Sequence, residues 1–273
     1  MNARPLPSYY VTHGGGPWLY MDGEYRAMHA ELERALAAIP RELGVRPRAL
    51  LVVSAHWEAP EFALLASARP GMLYDYGGFP PHTYRVQYPA PGAPELAQRA
   101  RGLLAAAGVR AALETRRGYD HGVFVPLAVM YPDADVPVLA MSLQSGLDPA
   151  AHLAAGRALA PLRAEGVLIV ASGSSYHNLG GVNAGAVAAS RDFDAWLQQA
   201  LCGASGAERE ALLERWAEAP AARHAHPREE HLLPLMVAAG AGGDDAGHCV
   251  WRQTDMLGGI TLSSYRFGAL PAG

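Results

Sequence analysis

In the stretch Leu50-Leu51-Val52-Val53-Ser54-Ala55-His56-Trp57, an apolar, partly β-branched run over Leu50–Ala55 is followed directly by an ionisable side chain, His56. A short run of this kind reads as a strand buried on both faces, as in a parallel sheet covered by helices. Two more segments have the same form. Ser8-Tyr-Tyr-Val-Thr12 leads into His13-Gly14-Gly15-Gly16-Pro17, and Val167-Leu-Ile-Val-Ala171 leads within a few residues to Ser174-Ser-Tyr-His177-Asn178. In open α/β sheets the ligand crevice lies beyond the carboxyl ends of the strands, so His13, His56 and His177 are expected to converge on one cleft.

Working outward, further strands are expected at Phe62–Ser67, Val109–Glu114, Val136–Leu143, Cys249–Thr254 and Ile260–Arg266. They alternate with segments of helical period at Glu24–Ile39, Ala93–Ala107, Pro149–Ala164, Ser190–Cys202, Gly206–Ala219 and one ending near Ala239. Asp148-Pro149 supplies an N-cap with proline at the first helical position, and Gly44, Gly108 and Gly166 suit C-terminal caps. The expected fold is a single α/β domain over residues 1–273. Its central sheet is mostly parallel or mixed, flanked by helices, with the site at the carboxyl ends of the strands. The Pro/Gly-rich stretch from Tyr74 to Pro94 is expected to be a long ordered loop across that end, and loops of such length are usually functional.

Composition narrows the chemistry. All 22 basic residues of the 273 are arginine, which excludes a Schiff-base lysine, a P-loop lysine and a lysine base. The Gly14–Gly16 run is therefore not a phosphate cradle of the P-loop kind. A net charge of −4 without arginine clusters argues against nucleic acid. No apolar run approaches a membrane span or a signal peptide, so a soluble, cytoplasmic protein is expected. Cys202 and Cys249 are isolated, which disfavours a disulfide framework and a zinc knuckle.

Eleven histidines are a generous supply of neutral metal ligands and proton carriers. Besides the three at strand ends, His121 in Tyr119-Asp-His-Gly122 and His231 in Glu229-Glu230-His231-Leu-Leu-Pro-Leu235 stand at the entrances of apolar helices. Adjacent helical positions point about 100° apart, so Glu230 and His231 are not expected to face one metal together, and spacing leaves both open as the ligand. Glu229 has an ordinary reading as a helix-capping carboxylate. His29, His152, His224, His226 and His248 read as solvated or hydrogen-bonded residues, while His82 lies in the long loop and could face the crevice. Tyr74, Asp75, Tyr76 and Phe79, with Trp18 and Trp57, offer an aromatic wall for a planar ring, and an arginine such as Arg85 offers a partner for a substrate carboxylate.

Seven ordered motifs, His13-Gly-Gly-Gly-Pro17, Ser54-Ala-His-Trp57, Tyr74-Asp-Tyr-Gly-Gly-Phe-Pro80, Tyr88-Pro-Ala-Pro-Gly92, Tyr119-Asp-His-Gly122, Ser172-Gly-Ser-Ser-Tyr-His-Asn178 and Glu230-His-Leu-Leu-Pro-Leu235, span nearly the whole chain. Together they resemble the class III extradiol ring-cleavage dioxygenases, of the 4,5-DOPA dioxygenase branch. The resemblance implies His13, His56 and His231 as metal ligands, with His177 as base and His121 as acid or oxygen-steering residue. It implies Fe(II) for activity, with Zn(II) able to occupy the site and His177 then a fourth ligand. A catechol, DOPA-like or related, and O2 are the implied substrates. More distant class III enzymes use a glutamate as third ligand, which keeps Glu230 in consideration. Many relatives read His-Gly-Ser-Pro where this chain has His13-Gly-Gly-Gly-Pro17, a departure beside a ligand that bears on substrate contacts. A zinc-dependent hydrolase and a catalytically silent metal-binding protein stand as alternatives on the same scaffold, and a homo-oligomer is compatible with either.

Overall fold

The structure is a computed structural model describing residues 4–180 and 183–271. Its strands are β1 (Ser8–Thr12), β2 (Ala49–Ala59), β3 (Phe62–Leu65), β4 (Ala111–Glu114), β5 (Val138–Gln144), β6 (Val167–Gly173), β7 (Gly247–Met256) and β8 (Ile260–Phe267). The helices are α1 (Gly23–Ala27), α2 (Ala30–Leu43), α3 (Pro94–Ala106), α4 (His121–Met130), α5 (Pro149–Leu159), α6 (Pro161–Ala164), α7 (Ala184–Gln198), α8 (Gly206–Glu214), α9 (Ala222–Ala225) and α10 (Leu233–Gly242).

All eight strands form one mixed sheet in the order β4-β3-β5-β2-β6-β1-β8-β7. The middle four, β5-β2-β6-β1, are parallel, in registers such as Val52↔Val170 and Tyr10↔Ala171. Nearly every residue of these strands is buried, as the continuous apolar runs require. The β7–β8 hairpin adds antiparallel to β1, and β3 runs antiparallel to β5. The single-domain, mixed α/β expectation is met, with helices flanking the sheet. Among the described residues no helix is long and apolar enough to cross a membrane.

Helix α10 has all ten residues buried, which is how a helix apolar on every side must lie. It crosses α5 at close range, because a Cβ on Gly156 would sit 2.3 Å from the Val237 carbonyl oxygen and one on Gly240 would sit 2.3 Å from that of Leu153. Asp148 caps α5 by accepting from the Ala150 N–H, and Gly44, Gly108 and Gly166 take positive φ after helical segments.

Several boundaries differ from expectation for local reasons. Pro161 has no N–H to continue α5, so the expected helix 149–164 splits into α5 and α6. The segment expected as one helix from Glu24 is two, α1 and α2, divided at Met28 and His29. Helix α7 begins at Ala184 rather than Ser190 because the Asn183 side chain accepts from the Ala186 N–H. Strand β2 runs on to Ala59, past His56.

Candidate active site

Three parallel strands deliver three histidines to the carboxyl edge of the sheet. His13 directly follows β1, and its N–H continues the ladder to the Gly173 carbonyl at 3.1 Å. His56 lies inside β2 at an irregularity: the register steps from Val53↔Met141 to Glu58↔Leu143, so residues 54–57 lie opposite residue 142 alone. A bulge of this kind bends the strand and re-aims its side chains, here turning His56 toward the sheet's end. His177 follows β6 after a short loop held by the Ser174 hydroxyl on the Tyr176 carbonyl and the His177 N–H on the Ala225 carbonyl.

Two helix entrances complete the set. Asp120 caps α4, accepting from the Val123 N–H, and is itself gripped by Ser54 (2.6 Å) and Arg117 (3.0 Å), which fixes His121 as the first helical residue. Residues 230–232 form a turn ahead of α10, and the His231 carbonyl is held by the Ser174 N–H (3.0 Å) and the Tyr10 hydroxyl (2.9 Å).

The nitrogens converge. His56 Nε2 lies 3.1 Å from His13 Nε2 and 3.1 Å from His231 Nε2. Two nitrogens bound at about 2.1 Å to one ion stand roughly 3.0–3.4 Å apart, so this spacing fits a metal-binding set. Each ring's other nitrogen is occupied. His13 Nδ1 donates to Ser172 Oγ at 2.9 Å, since that hydroxyl's own proton goes to the Gly122 carbonyl. His56 Nδ1 lies 3.3 Å and His121 Nδ1 2.8 Å from the two oxygens of Asp75. His231 Nδ1 (2.9 Å) and His177 Nδ1 (3.0 Å) share Glu230 Oε1. Such partners fix the tautomer and leave Nε2 with its lone pair.

Electrostatics agree with that assignment. Burial first, then the neighbouring imidazoles, hold His13 and His56 far below the ordinary histidine range, and His231 falls to about 4 despite the Glu230 carboxylate. All three are neutral donors at physiological pH. Burial pushes Asp75 and Glu230 upward, but the histidine hydrogen bonds outweigh it and both carboxylates end below their usual range.

Above these nitrogens opens a cleft of about 300 Å³. The histidines and Gly14–Gly16 form its inner end; Tyr25, Tyr76, Phe79 and Tyr176 form aromatic sides; Met256, Leu257, Ile260 and Leu262 of the β7–β8 hairpin form the far wall.

All five expected site histidines are thus brought together: the His56 and His121 rings lie 3.9 Å apart between centroids with their planes tilted by 47°, and His177 stacks on His231 at 3.4 Å. Other expectations need correction. Of the proposed aromatic wall only Tyr76 and Phe79 line the cleft; Trp18 is fully buried against His29, and Trp57 packs under Arg117. Arg85 is exposed and away from the cleft, and His82 binds the Tyr20 carbonyl rather than facing it. The glycines after His13 serve chiefly the protein's own side chains, since a Cβ on Gly14, Gly15 or Gly16 would strike Trp18, Tyr25 or Phe79. His226, read as solvated or hydrogen-bonded, is hydrogen-bonded through Nε2 to the Ser175 carbonyl but fully buried rather than solvated. Glu229 pairs with Arg223 instead of capping a helix. Asp75 and Glu230 as shared acceptors, and Tyr25 and Tyr176 as cleft walls, were not foreseen; Asp75 stands inside a motif already singled out.

The chain matches the model of the catalytic LigB subunit of aromatic ring-opening dioxygenase over residues 7–268. It is 38% identical to a 4,5-DOPA dioxygenase extradiol of Portulaca grandiflora, over 96% of each chain. It is 42% identical to the Beta vulgaris protein of the same name, over 81% of this chain and 83% of that one. The crystal structure of the uncharacterized protein JW3007 from Escherichia coli K12 superposes with a TM-score of 0.76 at 31% identity, covering 96% of this chain and 100% of that one. With five histidines gathered at the carboxyl edge of the sheet and a family match from one end of the fold to the other, the chain belongs to the LigB family of extradiol aromatic ring-opening dioxygenases.

Proposed function

We propose that this protein opens the ring of a catechol with O2, holding Fe(II) through His13, His56 and His231, with His177 as general base and His121 as acid or oxygen-steering group. The observation that carries the reading is the meeting of three Nε2 atoms whose rings are each anchored through Nδ1. Zinc fits the same nitrogens. Iron held by these three histidines would supply a redox-active Lewis acid for the reaction of a catechol with O2.

The chain's own groups do the rest. With Nδ1 on Glu230, His177 presents Nε2 as the atom that takes a hydroxyl proton from the bound catechol. With Nδ1 on Asp75, His121 likewise gives or takes its proton at Nε2. The aromatic sides and the hairpin exclude bulk water and hold the ring in plane.

The test is anaerobic reconstitution with Fe(II), followed by a catechol panel in air. Stoichiometric O2 uptake with a coloured ring-opened product is expected. No uptake with any catechol, together with ester or amide cleavage by the zinc-loaded protein, refutes the reading. His177→Ala is expected to keep metal and lose turnover, whereas His13→Ala loses the metal itself.

A further inference from the structure

The cleft is asymmetric in charge. Every titratable group that could carry charge near neutrality lies at its inner end, and among the described residues no arginine, aspartate or glutamate lines it. The arginines adjoining site residues are paired elsewhere: Arg117 with Asp120, Arg228 with Glu58 and Glu230, and Arg26 with Glu33. His29 supplies no cation, because Nδ1 is on the Tyr25 carbonyl, Nε2 is beside the Gly15 N–H, and burial lowers its pKa. The Tyr25 and Tyr76 hydroxyls are bonded to the carbonyls of Gly15 and Thr83. The buried Tyr176 hydroxyl, without a partner among the described residues, is an uncharged donor.

The hairpin wall is apolar, and at the rim the one polar neighbour of Leu179, Asn178, already spends its amide on the His224 carbonyl and the Gly180 N–H. Met256, Ile260 and Leu262 are buried, while Leu179 (85% exposed) and Leu257 (49%) are two of the three large apolar side chains exposed among the described residues. Leu257 also holds φ 50°, a left-handed conformation that a leucine rarely adopts, beside Gly258 and Gly259, which could take it freely. Ala134, Leu147 and Ala221 hold the same conformation away from the cleft, so it belongs to the tight β7–β8 turn, which sets Leu257 at the cleft mouth.

We propose, resting on the ring-opening function above, that the substrate is a catechol bearing an uncharged, apolar substituent, which lies against Leu179 and the hairpin residues Met256, Leu257, Ile260 and Leu262. A carboxylate or amino-acid side chain in that position would lose its water without gaining an opposite charge. An alkyl chain gains roughly threefold to fourfold in affinity per buried methylene.

The test uses the Fe(II)-loaded protein and a near-isosteric pair, 4-propylcatechol and 3-(3,4-dihydroxyphenyl)propanoate, with DOPA alongside. The propyl compound is expected to have at least tenfold higher kcat/KM than either. Calorimetry on zinc-loaded protein, with 4-propylphenol against 3-(4-hydroxyphenyl)propanoate, is expected to show the same preference in Kd without turnover. Leu257→Arg, at a half-exposed position, is expected to narrow the ratio at least fivefold. Catechols opened with the acid equal or preferred overturn the proposal, as does a ratio that Leu257→Arg leaves unchanged. If no catechol is opened yet the neutral phenol binds at least tenfold tighter, the ring-opening reading fails while the apolar-ligand assignment stands.

Discussion

Gly173 closes β6 at the point where the sheet meets the site, and a single methyl there is expected to dismantle it. A Cβ on Gly173 would lie 2.1 Å from the His231 carbonyl oxygen and 3.0 Å from Tyr10 Cε2. Reaching even a 3.0 Å contact requires the carbonyl to retreat by about 0.9 Å. That carbonyl accepts from both the Ser174 N–H and the Tyr10 hydroxyl, so its retreat stretches two buried hydrogen bonds of about 1 kcal/mol each. Overpacking adds a further ~1–3 kcal/mol. A total of about 3–5 kcal/mol corresponds to a fall in Tm of roughly 6–20 °C for a chain of this size. The same movement carries His231 Nε2 away from its 3.1 Å spacing to His56, and a misplacement near 1 Å costs about a hundredfold in turnover. Thermal melts, Fe(II) titration and O2 uptake of Gly173→Ala measure the three effects. Gly102→Ala, in the open middle of α3 where a Cβ meets nothing within 4 Å, is the control and is expected to stabilise by ~0.5–1 kcal/mol. If Gly173→Ala melts within 2 °C of the parent and binds and turns over within threefold, the inferred rigidity of the β6–α10 junction is wrong.

The carboxylates can be tested separately from the ligands. Asp75→Asn and Glu230→Gln keep the shape but remove the charge behind a pair of imidazoles each, so metal affinity is expected to fall about 10–100-fold in chelator competition; unchanged affinity in both would show that the Nδ1 contacts are incidental. Gly156→Ala and Gly240→Ala each drive a methyl into the backbone of the facing helix and are expected to cost at least ~1–3 kcal/mol, read from urea midpoints, whereas full stability would mean that α5 and α10 separate freely. Burial lowers His152 to about 4 and His226 to about 3, so the unfolded chain takes these protons near pH 6.5 while the folded protein does not. Their stabilising contribution is therefore full above pH 6.5 and is lost as pH falls toward those values, by up to about 1.4 kcal/mol per pH unit for each. A His152→Gln variant should show a flatter decline in urea stability between pH 6.5 and 4.5, and a decline parallel to the parent's would contradict the buried neutral histidine.

What the sequence makes legible is the part that depends on strand periodicity. His13, His56 and His177 could be placed because a buried parallel strand announces its own carboxyl end, and the crevice rule does the rest. What stays hidden depends on contacts between distant segments. Asp75 reaches His121 across 46 residues through a loop with no period of its own, so its place in a motif was visible but its hydrogen bond was not. The choice between Glu230 and His231 was posed as a question about helix faces, yet residues 230–232 are a turn, and the Glu230 carboxylate folds back onto the Nδ1 of its own neighbour. The hairpin wall was invisible for the opposite reason. Ile260 and Leu262 read as ordinary strand residues and Met256 as part of the connection before them, and only the tertiary fold shows that they face the cleft as well as the core.

The paired carboxylates also explain why the site suits a divalent cation rather than a structural proton network. His13, His56 and His231 are held neutral, chiefly by burial, while Asp75 and Glu230 remain ionised through hydrogen bonds from the rings they grip. The partly buried acceptors therefore carry two negative charges, behind imidazoles whose outward nitrogens offer only lone pairs. Arg228 offsets part of the charge at Glu230, but it is itself shared with Glu58. A doubly charged cation on the Nε2 atoms would supply the complementary charge and strengthen the Nδ1–H donors of His56 and His231 toward Asp75 and Glu230, so that binding and these hydrogen bonds would reinforce each other. The same logic ties the proton carriers to the ligands. Each carboxylate holds one proposed ligand and one proposed proton carrier, His56 with His121 and His231 with His177, so a change that frees either carboxylate disturbs metal retention and proton transfer together. Replacing His177 or His121 itself, which leaves the carboxylate on its remaining ligand, is the change that separates the two.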